Sequence, residues 1–418
     1  GIYTGFLLYA LRHRRWLALP GSLGLPLACF FALSVLQMFN PALGSLTVGL
    51  VGLKTYFYYM PLMFVVPAIL RTERQLYRFL TGLLCLALPI AAYGIIQYFQ
   101  GPEAYASLGP AFRRATFVVV GEYFEGTVLF RPNSTFSWPS HYAVFVYFST
   151  LLAVVAVYLR GPRHLRRVGW LAMPVLLVAA VLSGQRGLYV LTPASLLLTL
   201  LVLRSPVQML RASFALVVAG LGVYYLAPPA ILGRFATILS SESGVLGSRA
   251  EGGWGYLERA LLTSPFGRGT GSSALGARYV STADFVFTES QFARVAGELG
   301  ILGLFIFVWF YIALLWYAWC CFRHTQLRDL RYIAATVWSM LLMLALGMYL
   351  GNTLVISVAS VFFWIFLGIL RRISQLRVAP NNLFSVDRAH FPLFKSPLGE
   401  ASLPPTRSIN ISPAKFLP

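Results

Sequence analysis

Charge is what this sequence has least of. Charged residues make up 11% of its 418 positions and hydrophobic ones 58%, where a soluble chain carries roughly 25% charge. That balance excludes a large soluble globular protein. Alternation of period two over segments of about ten residues is also missing, which excludes an outer-membrane-type β-barrel. Cysteine is scarce: Cys29, Cys85, Cys320 and Cys321 all lie in apolar runs, and their spacing fits neither a disulfide nor a metal site. Acidic residues form no cluster able to cage a divalent metal, so no metal or other cofactor is expected. No internal repeat of the kind that transporters carry is visible. The net charge of +20 would point to nucleic acid in a soluble protein. Here the arginines fall mainly in short loops between apolar runs, so topology explains them and no nucleic-acid partner is expected.

What is present is a series of apolar runs of the length needed to cross a hydrocarbon layer of about 30 Å. Spans are expected near 16–39, 44–70, 76–99, 136–159, 168–183, 187–203, 212–230, 291–318, 332–350 and 353–370. The chain opens inside a further apolar run, GIYTGFLLYAL, that stops at RHRR; it reads as the end of one more span, and no cleavable signal peptide is evident. The expected fold is therefore an all-α polytopic membrane protein of about 11–12 helices, a single membrane domain over 1–379 with a disordered cytoplasmic tail over 380–418. Every second loop is basic: 12–15, 71–78, 160–167, 203–211, 322–331 and 371–377. The positive-inside rule makes those loops cytoplasmic. Two long segments, 101–135 and 233–289, then fall outside, and a helical character is expected for the second. Both keep arginines against the topological bias: Arg113, Arg114 and Arg131 in the first, and Arg234, Arg249, Arg259, Arg268 and Arg278 in the second. Such residues suit either a solvated surface or an anionic ligand.

One arginine stands apart. Arg186, in VLSGQRGLYVLT, is the only charged residue between Arg167 and Arg204. Both flanks are basic loops, so 168–203 must cross twice in arms of about 15–16 residues, roughly 23 Å of helix each. The turn SGQRG should then lie below the outer surface, with Gly184 and Gly187 permitting a tight reversal and leaving amides exposed. An arginine at membrane depth costs about 2.5 kcal/mol or more unless paired. It either snorkels to orient the hairpin or offers a guanidinium fork to phosphate oxygens.

Four stretches together resemble the family of O-antigen ligases and Wzy-type O-antigen polymerases. They are RPNSTFSWPSHYAVF at 131–145, LSGQRG at 182–187, GSRAEGGWGYLERALLTSPFGRGTGS at 247–272 and ESQFARVAGELGILGLFIF at 289–307. The resemblance covers most of residues 16–370. It implies a GT-C-like membrane fold in the bacterial cytoplasmic membrane, with the site facing outward. The implied reaction is a metal-independent, inverting transfer of a glycan from undecaprenyl pyrophosphate to the hydroxyl of a second glycan. Membrane lipids and a chain-length regulator are the other implied partners. By motif position, Arg186 and Arg249 match the arginines that hold the donor pyrophosphate.

At the position where ligases of the family carry a histidine base, this chain has Glu289. None of its five histidines, His13, His141, His164, His324 and His390, lies in the second outer segment. Glu289 is thus the candidate base, or else a carboxylate helped by a helix N-terminus. The exchange favours a repeat-unit polymerase over a ligase that transfers the glycan to lipid A core or another acceptor. A lipid-linked oligosaccharide flippase is the reading from a different class. Arg131, Arg268, Gln185, His141 and Arg278 are the expected substrate contacts. Glu298, in GELG, reads as a partner for a nearby arginine or a packing cap, with catalysis the alternative. The Gly-rich GRGTGSS lacks the lysine and strand of a phosphate loop, although its amides could still face a phosphate. NST at 133–135 matches a glycosylation acceptor formally and is set aside, and YFYYM at 56–60 suits packing or an interfacial belt.

Overall fold

The computed structural model describes residues 21–101, 130–226, 231–232, 245–274 and 290–376. These all fall within one compact unit that covers residues 1–377. The opening apolar run, most of segment 101–135 and the tail at 380–418 lie outside the described residues. Among the described residues the structure is all-helical, without a strand. Its helices are α1 Gly21–Gln37, α2 Leu46–Phe57, α3 Leu62–Ile69, α4 Glu73–Gln100, α5 Pro139–Tyr158, α6 Arg163–Leu182, α7 Arg186–Val202, α8 Pro206–Leu226, α9 Val245–Thr263, α10 Gln291–His324, α11 Arg328–Leu350 and α12 Ser357–Gln375.

Seven of these segments, with α2 and α3 taken together as Leu46–Ile69, are long and apolar enough to cross a membrane. Three shorter apolar helices, Gly21–Gln37, Arg186–Val202 and Pro206–Gly222, accompany them. The protein is a multi-pass membrane protein. Prolines sit inside several spans, at Pro26, Pro67, Pro89, Pro174 and Pro193, as membrane bundles tolerate. The most buried span is α5, which packs on α4, α6, α7, α11 and α12 and forms the middle of the bundle.

Five basic loops meet at one end. Asp329, in the first turn of α11, accepts the N–H groups of Arg160 at 3.0 Å and Gly161 at 2.6 Å. The hydroxyl of Tyr332 donates to Gln208 Oε1 at 2.9 Å. Arg372 donates to the Arg71 carbonyl. Thr72 and Gln75 close a capping box there at the start of α4. The turns that carry the four quoted motifs belong to the opposite end.

Two elements differ from the sequence expectation. The arm before Arg186 is not short. Because α6 starts within the basic cluster at Arg163, it runs for 20 residues, about 30 Å, and reaches across on its own. Only α7, with 17 residues, stays near the predicted length. The arms also make little contact with each other: α6 packs on α4 and α5, and α7 on α11, α8 and α5.

The second difference is in α10. Gly300 has φ 74° and ψ −169° in its middle, a left-handed extended geometry that ends one helix and starts another. Phe292 and Phe307 meet edge to face with centroids 5.8 Å apart, where a straight helix would separate them by about 22 Å along its axis. Residues 291–299 therefore fold back beside 301–324. The expected single span is thus two helical pieces joined by a reversal at Gly300.

Candidate functional site

Arg186 is the first residue of α7, and Gln185 is its N-cap. Ser183 closes α6, and Gly184, buried with φ 62°, turns the chain between the helices. Two of the amides of this turn are committed within the protein, against the expectation that they would be exposed. Gly184 N–H donates to Val181 O at 3.4 Å and Gln185 N–H to Ser183 Oγ at 3.4 Å. Gly187 lies inside the helix, so Gly184 alone makes the reversal. Across the turn, the Tyr189 hydroxyl donates to Val181 O at 2.6 Å. One level deeper, the Tyr147 and Ser195 hydroxyls pair at 2.6 Å, fixing α7 against α5.

The Gln185 side chain does not cap its own helix. Its Oε1 accepts from Arg131 Nη2 instead, joining the first quoted motif to the second. Arg131 is placed by the segment that follows it. Ser134, with φ 51°, exchanges two hydrogen bonds with Gln97 of α4, N–H to Oε1 at 2.7 Å and Nε2 to O at 3.3 Å. The Ser134 hydroxyl donates to Ile90 O at 2.7 Å. Asn133 is fully buried, which closes the glycosylation reading. The result is an uncapped helix N-terminus with no acidic residue in its first turn and half-buried Arg186 and Arg131 beside it. Helix N-termini and arginines both favour negative charge. His141, half-buried in the first turn of α5, meets Ser137 Oγ at 3.2 Å through Nδ1, a local contact.

The third and fourth motifs also meet. A β-carbon on Gly253 of α9 would lie 3.3 Å from the Tyr349 carbonyl oxygen and 3.5 Å from Ser290 Cβ. One on Gly297 would lie 3.8 Å from Ala260 Cβ, so α9 runs parallel to 291–299. Arg249 stands one turn ahead of Gly253 on α9, and its side chain lies outside the described residues. Glu289 and Arg278 are outside them altogether. The far end of α11 lies between the two pairs of motifs: Gly347 is the neighbour of Leu191 in α7, and Tyr349 the neighbour of Gly253.

The Gly-rich loop has a structural role. Every backbone N–H from Gly267 to Ala274 is committed within the protein. Gly267, Ser272 and Ala274 bond inside the loop, Arg268 bonds to Gly297 O, Gly269 to Glu298 O and Thr270 to Gln37 O. Gly271 and Ser273 donate to the two carboxylate oxygens of Glu298 at 3.0 and 3.2 Å. The expectation that these amides could face a phosphate is therefore corrected. Gln37, the last residue of α1, and Asn40 just beyond it hold the Phe266 and Gly267 carbonyls at 2.5 and 3.1 Å. Arg268 folds back on the end of α9, donating from Nε to Ser264 Oγ at 2.9 Å and from Nη2 to Thr263 Oγ1 at 3.4 Å. About 21 Å of helix separates that end from Arg249, so one phosphate does not bridge Arg249 and Arg268.

Glu298 also accepts from Arg294 Nε at 3.0 Å, with both side chains at most 1% exposed. The guanidinium lies over the Tyr56 ring, 5.6 Å from its centroid. Tyr56 is thus a packing residue, and Glu298 pairs and caps as expected. Arg294 was not among the expected site residues. Its signal is the i,i+4 spacing to Glu298. Gln291, also missed, is fully buried at a helix start that reads as surface, and the sequence carries no sign of this.

No protein-family model matches the chain, and no curated protein matches it in sequence.

Proposed function

We propose that the protein is an inverting membrane glycosyltransferase that extends a polysaccharide at the outer face of a bacterial cytoplasmic membrane. Its donor is a glycan on undecaprenyl pyrophosphate and its acceptor the hydroxyl of a second lipid-linked glycan. The observation that supports this best is the corner at Arg186: an uncapped helix start, with Arg186 as its first residue and Arg131 tied to the N-cap Gln185. It lies at the end opposite the basic loops, where a lipid-linked pyrophosphate would be met. Arg249, carried on α9 near Ser290, is the second pyrophosphate ligand in this reading.

In the reaction, the acceptor oxygen attacks the anomeric carbon and the bond to the pyrophosphate oxygen breaks. The hydroxyl proton passes to a base, for which Glu289 is the candidate. Negative charge builds on the leaving pyrophosphate, and guanidiniums held in place before the reaction stabilise it. The test is incubation of the purified full chain with a lipid-linked repeat unit, followed by sizing of the products. Longer undecaprenyl-linked glycan is expected from the wild type and none from Arg186→Ala, which should remain folded in detergent. Polymer of normal length from Arg186→Ala overturns the reading.

A further inference from the structure

At the end of the bundle where the basic loops meet, both acids among the described residues are committed to groups other than arginine side chains. Asp329 accepts the N–H groups of Arg160 and Gly161, and Glu73 accepts from the Tyr77 hydroxyl. The arginines there are held by other means. Arg371 lies over the Phe64 ring, 5.4 Å from its centroid. Its neighbour Arg372, in the last turn of α12, donates from Nη2 to the Arg71 carbonyl and from Nη1 to Gln375 Oε1 at 3.3 Å. Arg71 turns back on the end of α3, donating from Nε to Ala68 O at 3.2 Å. Two arginines 301 positions apart in the chain are thus fixed on the carbonyls of one turn.

Topology alone does not account for this. The positive-inside rule asks only that positive charge lie on this side of the membrane, and charges of one sign lower their energy by spreading apart. Carbonyls satisfy the N–H groups but leave the two positive charges in place. Arg74, in the first turn of α4, and Arg371 add to them. The cluster is open to its surroundings, since Arg71 and Arg74 are exposed and Arg372 is half-buried. Those surroundings are partly apolar: Ile69, on the same turn as Ala68 and Arg71, is 62% exposed. A fixed pair of guanidiniums suits phosphate oxygens, and an exposed isoleucine beside it suits an acyl chain. One molecule that carries both groups is a phospholipid, and the uncompensated charge selects an anionic one.

We infer that Arg71 and Arg372 form a binding site for the phosphate of an anionic phospholipid, in the leaflet at the basic end, with its acyl chain against Ile69. The site lies at the opposite end from the Arg186 corner and does not depend on the glycosyltransferase reading.

The test is titration of the purified full chain, in neutral detergent, with phosphatidylglycerol, phosphatidylcholine or soluble glycerol phosphate. Apparent affinity is read from the rise in unfolding temperature. Phosphatidylglycerol should stabilise the wild type and the other two should not. In Arg71→Gln/Arg372→Gln its affinity should fall about tenfold or more. Arg166→Gln/Arg167→Gln is the control, because it removes the same charge from two exposed residues of α6 at the same end, and it should bind as the wild type does. Arg71→Gln alone, at an exposed position outside any helix, should show part of the loss and replaces the double variant should that fail to fold. Equal weakening in the two double variants means diffuse attraction to a charged face and overturns the site, as does a wild type without preference for phosphatidylglycerol over phosphatidylcholine. Stabilisation by glycerol phosphate equal to that by the lipid overturns the lipid as occupant.

Discussion

Arg294 and Glu298 face each other across one turn of α10, Nε to Oε1 at 3.0 Å, with neither side chain exposed by more than 1%. A pair buried this completely adds little net stability, because desolvation offsets the attraction. Removing one partner is different and costs about 3–5 kcal/mol, since it leaves a buried charge uncompensated. Glu298→Gln should therefore lower the unfolding temperature in detergent clearly, as should Arg294→Met. The double variant should be more stable than the sum of the two losses predicts. Strict additivity in that thermal cycle would show that the two side chains are not coupled.

Glycines give a second prediction, with an internal control. A β-carbon on Gly271 would fall 2.3 Å from Val48 O, and one on Gly300, at φ +74°, 2.4 Å from Pro265 O. Both positions press backbone against backbone, so neither Gly271→Ala nor Gly300→Ala can relax by rotating a side chain. Each should abolish recovery of monodisperse protein. Gly255, inside α9, has nothing within 4 Å of such a carbon. There, Gly255→Ala should be neutral or stabilise by up to about 1 kcal/mol through helix propensity. Size-exclusion profiles of the three variants, run together, check the contrast.

That five of the basic loops share one end of the bundle was legible because charge encodes it. Arg71, Arg160 and Arg372, distant in the chain, do share one end. The ten apolar runs were legible for the same reason, since hydropathy is a local property. The reversal at Gly300 was not. GELGILG lies within a continuous apolar run and scans as uninterrupted helix, and only the left-handed φ of one glycine reveals the fold-back. The start of α6 was missed because arginines at 163–167 look like loop while forming helix. In the candidate site, Arg131 and Gln185 were both singled out, but their contact bridges 54 positions and no local pattern reports it. Arg294 and Gln291 were missed because a polar residue at a helix start gives no sign of burial, which here arises from the fold-back.

The contact between Arg131 and Gln185 makes a prediction about activity. If Gln185 serves chiefly to aim Arg131 at the pyrophosphate, Arg131→Met and Gln185→Leu remove parts of one interaction. Each should slow transfer by roughly tenfold, and the double variant should be no slower than the worse single one, as expected for residues that act as a unit. Initial rates with saturating lipid-linked substrate decide it. A double variant about a hundredfold slower would mean that the two act separately.

The base is open to the most direct test. Glu289 immediately precedes Ser290, whose hydroxyl already accepts from Ala293 N–H as the side-chain cap of α10. A second capping carboxylate at Glu289 is therefore not needed to start the helix, which weakens the structural reason for an acid there. If it is the base, Glu289→Gln keeps the shape and loses proton acceptance, and transfer should fall by about 10²–10⁴-fold, the usual contribution of a positioned general base. Glu289→Asp should keep part of the activity, because it retains the carboxylate on a shorter arm. Binding of the lipid-linked donor should be unaffected in both variants, which separates proton transfer from substrate capture. Wild-type rates from Glu289→Gln would remove Glu289 from the chemistry and send the search for the base to another residue at this end of the bundle.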